Sequence, residues 1–126
     1  MAENPKTVLL IDDQEDERTI QRALLSHRGY SVLDAEDGAT GLDAAFQFLP
    51  DLIILDVAMP RMDGFEVCRS IRQDPRTAHI PVLFYTASVV GDLKEQVAAV
   101  GGTGVLLKPM DPNEVADEVR KLIGSA

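Results

Sequence analysis

Asp51-Leu52-Ile53-Ile54-Leu55-Asp56-Val57-Ala58-Met59-Pro60 decides the fold. Four aliphatic residues, Leu52 to Leu55, run into the carboxylate of Asp56, and Pro60 with Asp63-Gly64 marks the turn that follows. A short unbroken apolar run bounded by turn residues reads as a strand buried on both faces, the signature of a parallel sheet. Asp56 stands where that strand surfaces, at its carboxyl end, which is where open α/β sheets place their ligands.

Working outward, the same alternation recurs along the chain. Thr7–Ile11 reads as a strand ending in Asp12-Asp13, and Tyr30–Leu33 as a second. Pro81–Tyr85 reads as a fourth strand ending at Thr86-Ala87-Ser88, and Gly104–Leu107 as a fifth ending at Lys108-Pro109. Helical spacing fills the gaps. Ile20, Ala23, Leu24 and His27 form one stripe, Leu42, Ala45, Phe46 and Leu49 another, and Phe65, Cys68, Ile71 and Arg72 a third. Leu93, Val97 and Val100 mark a fourth helix, and Val115, Val119, Leu122 and Ile123 give the last its buried face. Asp63 with Glu66, and Asp111-Pro112-Asn113-Glu114, are helix-start signals. Gly29, Pro50, Asp74-Pro75 and Gly101-Gly102 are stops. Alternating βα units with short crossovers predict a parallel sheet with right-handed connections and helices on both faces. The expected fold is α/β, a doubly wound (βα)5 domain of order 2-1-3-4-5, flavodoxin-like in topology.

Composition narrows the function. A length of 126 residues with 45% hydrophobic content is expected to make one domain, residues 1–126, with a sizeable core. No run approaches a bilayer-spanning length, and residues 1–7 are polar, without a signal-peptide pattern. Cys68 is the one cysteine, which fits a reducing, cytoplasmic setting. A formal charge of −9 argues against nucleic-acid binding and suits metal cations and basic partner surfaces, and without a bilayer-spanning run no membrane partner is expected.

The strand ends carry the chemistry. Asp12 and Asp13, Asp56, Thr86 and Lys108 all fall at carboxyl ends of strands, so a parallel sheet brings them to one edge. Three carboxylates together raise one another's pKa, and a hard divalent cation such as Mg²⁺ relieves the conflict through oxygen ligands. Asp56 is then a carboxylate nucleophile able to form an aspartyl phosphate. Lys108 pairs with a phosphoryl oxygen, and the Thr86 hydroxyl donates to another.

At this point the chain resembles a family. Asp12-Asp13, the run Asp56-Val57-Ala58-Met59-Pro60-Arg61-Met62-Asp63-Gly64, Thr86-Ala87 and Lys108-Pro109 are similar to the receiver domains of two-component response regulators of the chemotaxis, single-domain type, from about Lys6 to Ile123. The resemblance implies a phosphorylation-dependent switch rather than a conventional enzyme, one that assists its own Mg²⁺-dependent phosphorylation and dephosphorylation. A histidine kinase or phosphotransfer protein is the implied donor, and an unidentified downstream protein or effector domain receives the signal. It places the phosphoacceptor on Asp56, and the metal ligands on Asp13, Asp56 and the backbone carbonyl of Ala58, with Asp12 assisting. It puts the switch hydroxyl on Thr86, the phosphate-binding lysine on Lys108, and a cis peptide at Lys108-Pro109. A monomer or a phosphorylation-dependent dimer is the implied assembly.

Two positions tune that pattern. Val105 stands where the family often has an aromatic switch residue, so coupling from Thr86 must run another way. Ala58 and Ser88, both small, predict an unshielded and short-lived phosphoryl group. Other functions fit less well. A flavin or nucleotide binder of this topology needs glycines and free amides after its first strand, and Asp12-Asp13-Gln14-Glu15-Asp16 repels phosphate instead. A haloacid-dehalogenase-type hydrolase needs a second acid two residues past the nucleophile, where Ala58 stands. A phosphorylation-independent pseudo-receiver is the serious rival, yet such modules lose an acid or the lysine. Cys68, Met59 and Met62 read as packing residues, His27 as structural and His79 as solvated.

Overall fold

The computed structural model describes residues 5–88 and 91–125. Five parallel strands, β1 (Thr7–Ile11), β2 (Ser31–Ala35), β3 (Leu52–Leu55), β4 (Val82–Thr86) and β5 (Gly104–Leu107), form one sheet in the order β2-β1-β3-β4-β5. Between and after them run α1 (Glu15–His27), α2 (Gly38–Phe48), α3 (Gly64–Gln73), α4 (Leu93–Ala99) and α5 (Pro112–Ile123). This is the doubly wound (βα)5 architecture the pattern predicts. Ile11 pairs with Leu55, so Asp12 and Asp56, one residue beyond each, leave the sheet side by side.

Strand alternation sorts the core into two layers. Leu9, Ile11, Ile53, Leu55, Val82 and Phe84 face one way, onto Ala45, Val67, Cys68 and Val97 of α2, α3 and α4. Val8, Leu10, Leu52, Ile54 and Tyr85 face the other way, onto Leu25, Val115 and Val119 of α1 and α5. All four residues of β3 are buried, as a strand covered on both sides requires. Each fully buried Leu or Ile there contributes roughly 1.5–3 kcal/mol, so the central strand is held rigidly and aims Asp56.

Several boundaries and faces differ from the sequence expectation. Tyr30 precedes β2, which continues to Ala35, and β4 runs on to include Thr86. The start of α2 is set by Asp37, whose carboxylate accepts from the Thr40 amide at 2.8 Å, a cap the stripe of apolar residues did not announce. Leu49 and Leu122 are 49% and 40% exposed, so each lies outside the stripe assigned to it.

The largest correction concerns α1. Ile20 is 52% exposed and His27 is exposed as well, whereas Gln21 and Leu25 are buried. The inward face instead follows Arg18, Gln21, Leu25 and Arg28. Those arginines reach inward because partners await them: Arg18 Nε lies 3.5 Å from Asp34, and Arg28 donates to Asp117 on α5 at 2.9 Å. Hydropathy alone ranks Ile20 inside; the paired guanidinium tips reverse that order.

On the opposite side, α3 grips the end of α4. Arg72 donates to the carbonyls of Gly101 (2.9 Å), Ala78 (3.1 Å) and Ile80 (2.6 Å), while the Cys68 thiol donates to the Val100 carbonyl at 3.2 Å. Cys68 is fully buried, and burial pushes its thiol up from the ordinary range, despite opposing pulls from Arg72 and Arg69. Reactivity needs an exposed thiolate. An alkylating reagent at neutral pH is therefore expected to leave Cys68 unlabelled in the native protein and to label it fully in denaturant, as intact mass would show.

Candidate functional site at the carboxyl edge of the sheet

Four strand ends meet in one place. Carboxylate oxygens of Asp12, Asp13 and Asp56 all lie within 4.8 Å of one another. Asp12 and Asp56 are buried, at 8% and 6% exposure, while Asp13 is exposed. Lys108, from the end of β5, reaches across the sheet to them. Its Nζ donates to Asp12 Oδ2 at 2.6 Å, to Asp56 Oδ2 at 3.2 Å and to Gln14 Oε1 at 3.1 Å. The ammonium also sits 5.5 Å from the centre of the Tyr85 ring, a cation–π distance. The Lys108–Pro109 peptide is cis, as the resemblance implied.

The backbone completes the frame. Asp12 Oδ1 accepts from the Gln14 amide at 2.8 Å, and Asp56 Oδ1 from the Ala58 amide at 3.3 Å, so the Ala58 backbone borders the acids. Arg18 Nη1 donates to the Asp12 carbonyl at 2.6 Å, tying α1 to the end of β1. Thr86 is fully buried at the end of β4, opposite Leu107 in register, and its carbonyl accepts from the Lys108 amide at 2.9 Å. The Thr86 Oγ accepts from the Ser88 amide at 3.0 Å, which leaves the hydroxyl proton to donate elsewhere. The sequence expectation thus named Asp12, Asp13, Asp56, Thr86 and Lys108, and the fold brings all five to one edge. It missed Gln14, Arg18 and Tyr85; Gln14 caps α1 and Arg18 follows four residues on, its amide donating to the Gln14 carbonyl, a spacing that could have found them.

The electrostatics are those of an acid cluster with too few cations. Burial pushes the Asp12 carboxyl above its ordinary value, and the Lys108 hydrogen bond and Gln14 amide offset this only in part. Burial also works against the Lys108 ammonium, but the Asp12 hydrogen bond and the charges of Asp56 and Asp12 outweigh it and hold the lysine above its usual range. Three carboxylates face one ammonium. The donor set is all hard oxygen, two acids deep and one open to solvent, which fits a divalent cation of the Mg²⁺ kind.

A doubly wound sheet with a carboxylate cluster and a lysine at its carboxyl edge defines a class of acidic-pocket α/β domain. Sequence comparison then specifies it: residues 8–120 match the response regulator receiver domain, and the chain belongs to that family. It is 40% identical over 118 residues to the DNA-binding dual master transcriptional regulator RpaA of Synechocystis sp., covering 92% of this chain and 48% of that protein. It is 42% identical over 115 residues to the response regulator PleD of Caulobacter vibrioides, covering 91% of this chain and 25% of that one. The chain therefore spans about half or less of these curated relatives. Among solved structures, the chemotaxis protein CheY4 of Vibrio cholerae superposes with a TM-score of 0.89 at 33% identity, over 94% of this chain and 98% of that one. The receiver domain of the sensor histidine kinase PA1611 of Pseudomonas aeruginosa, solved with a magnesium ion coordinated in its active site cleft, superposes at 0.86 and 27% identity, over 96% and 99%. Receiver domains are signalling regulators rather than conventional enzymes, and they bind Mg²⁺ at an acidic pocket. Among the described residues, no helix is long and apolar enough to cross a membrane.

Proposed function

We propose that residues 1–126 form one receiver domain that accepts a phosphoryl group on Asp56 from a histidine kinase or phosphotransfer protein and signals by altered binding to a protein target or effector domain. The observation that supports it most is the convergence of Lys108 Nζ on both Asp12 and Asp56 beside the exposed Asp13. In the reaction, an Asp56 carboxylate oxygen forms a bond to phosphorus as the donor's bond to phosphorus breaks; a phosphohistidine donor leaves with its electron pair on the imidazole nitrogen. Lys108 pairs with one phosphoryl oxygen, and the Thr86 hydroxyl donates to another. The Ala58 amide, already donating to Asp56, holds the carboxylate in place.

Asp13, Asp56 and the Ala58 carbonyl would hold Mg²⁺, with Asp12 assisting. When bound, the cation draws charge from the transferring group. Ala58 is exposed and Ser88 half-buried, and both side chains are small, so the phosphoryl group is expected to be short-lived. A cytoplasmic setting supplies kinase and Mg²⁺ together. Nucleic acid is not a ligand of this acidic domain itself, whatever a partner domain binds.

Incubation with Mg²⁺ and a small acyl phosphate tests the reading. Intact mass should show one added phosphoryl group on wild type and none on Asp56→Asn. Equal gain by both proteins, or none by wild type, would overturn it.

A further inference from the structure

Tyr85 lies on β4 just before Thr86, and the strand ladder pairs it with Leu106, two residues ahead of Lys108. It is 4% exposed, in the layer that holds Leu10, Ile54 and Val115. Packing alone would be served by a leucine. Tyrosine adds two contacts. The centre of its ring lies 5.5 Å from Lys108 Nζ. Its hydroxyl meets the backbone of Met110, accepting from the amide at 3.3 Å and donating to the carbonyl at 3.4 Å. Burial pushes the phenol above its ordinary pKa, so it keeps the proton it donates.

The two contacts bracket one turn of the chain. Met110 is two residues beyond Lys108, so the hydroxyl ties the ring to the backbone that follows the lysine while the ring meets the ammonium. A flexible four-carbon stem settles in one place only when several contacts together outweigh the rotamer freedom it loses. The Lys108 side chain is 5% exposed and has acceptors in Asp12, Asp56 and Gln14. One of these changes in the proposed reaction, because Asp56 carries the phosphoryl group afterwards. An aromatic ring attracts a cation through its quadrupole and takes up no N–H hydrogen as a carboxylate does. Its hold therefore persists while the ammonium redirects a hydrogen from Asp56 to a phosphoryl oxygen.

We infer that Tyr85 is a positioning residue for Lys108: its ring, fixed by the Met110 backbone, holds the ammonium at the acid edge where a phosphoryl oxygen would meet it. The kinetic consequence rests on Asp56 being the phosphoacceptor; the contact itself does not.

Nuclear magnetic resonance on the full chain in Mg²⁺-free buffer decides the contact. The ε-methylene protons of Lys108, identified by their absence in Lys108→Met, should show a nuclear Overhauser effect to the Tyr85 ring and an upfield ring-current shift. Tyr85→Phe should keep that shift and Tyr85→Leu should lose it. Lys108 signals at the position of a solvated lysine in wild type would overturn the proposal. Acyl phosphate with Mg²⁺ then measures the role. Tyr85→Leu should be phosphorylated about tenfold more slowly, the scale of a desolvated cation–π contact, and Tyr85→Phe should recover most of the rate. In a Lys108→Met background the same Tyr85→Leu exchange should add little further slowing, because the group it positions is gone. A wild-type rate in Tyr85→Leu, or equal slowing in both backgrounds, would show that the ring only packs and would overturn the positioning role. Absence of phosphorylation in wild type would instead refute the Asp56 reading, and the lysine signal would still decide the contact.

Discussion

Gly64→Ala is expected to lower the melting temperature by about 10 °C and to slow phosphorylation at Asp56 sharply. A Cβ built at Gly64 would sit 2.3 Å from the Asp56 carbonyl oxygen and 2.9 Å from the Val57 Cα. Both are backbone atoms, so no side chain can swing aside to make room. The position is also pinned from its own side: the Gly64 amide donates to the Val57 carbonyl at 2.9 Å, and Asp63 caps α3 through the Glu66 amide at 2.9 Å. Overpacking in a rigid setting costs typically 1–3 kcal/mol, and the upper end applies where only backbone can yield. The atom displaced belongs to Asp56, the proposed phosphoacceptor. Circular-dichroism melts and the rate of phosphoryl uptake measure the two effects, and a variant with wild-type values for both would show that the loop is softer than the close approach requires.

Lys108→Met should be the most damaging change to the site itself. The methionine matches the lysine stem in length but leaves Asp12 and Asp56 buried with no cation. Removing one partner of a buried ion pair costs about 3–5 kcal/mol, because the remaining charges stay desolvated. In Mg²⁺-free buffer at neutral pH the variant is expected to lose roughly 3 kcal/mol, and added Mg²⁺ should restore much of it through binding to the folded state alone. Phosphorylation should fall by about 10²–10³-fold, the scale for losing one donor to developing charge.

The pH dependence has a definite sign. Asp12 has a folded-state pKa above its unfolded 3.8, so the metal-free fold loses stability as pH rises from 3.8 through the folded value. Lys108 is one of the influences holding that value down. Its removal widens the window, and the deficit of Lys108→Met should shrink as pH falls toward 4. Lys108 itself titrates above 10.5 when folded, so its contribution persists through neutral pH and is lost only as pH rises through that higher value. Denaturant titrations at several pH values, with and without Mg²⁺, would measure this. A deficit that grows on acidification would show that the ammonium does not neutralise Asp12.

Much of this was legible in the chain because its signals are local. Leu52 to Leu55 announce a doubly covered strand, and Asp63 and Asp111 announce helix starts that the Glu66 and Asn113 amides then satisfy. The meeting of Lys108 with Asp12, 96 residues apart, follows from topology alone, since parallel strands all end at one edge. What stayed hidden depends on partners that no local window contains. Arg28 turns inward for Asp117, 89 residues away, and Arg18 for Asp34 and the Asp12 carbonyl. The helix face they define could not be read from hydropathy, which put Ile20 where Gln21 belongs. Boundaries at Tyr30 and Thr86 slipped for a milder reason: the residues flanking each strand have strand-compatible chemistry, and only the ladder says which of them pair.

The bonds from Arg72 and Cys68 to Gly101 and Val100 make α4 a lever with a fixed fulcrum. Its far end begins at Asp92, which makes no side-chain cap. Seven residues of helix span about 10 Å, so a tilt of about 10° about the held end would carry the other end, where Leu93 is buried in the core, through about 2 Å. With Val105 rather than an aromatic ring beneath it, such a swing requires no large side chain to change place. Any displacement of α4 would then pivot on the end that Arg72 and Cys68 hold.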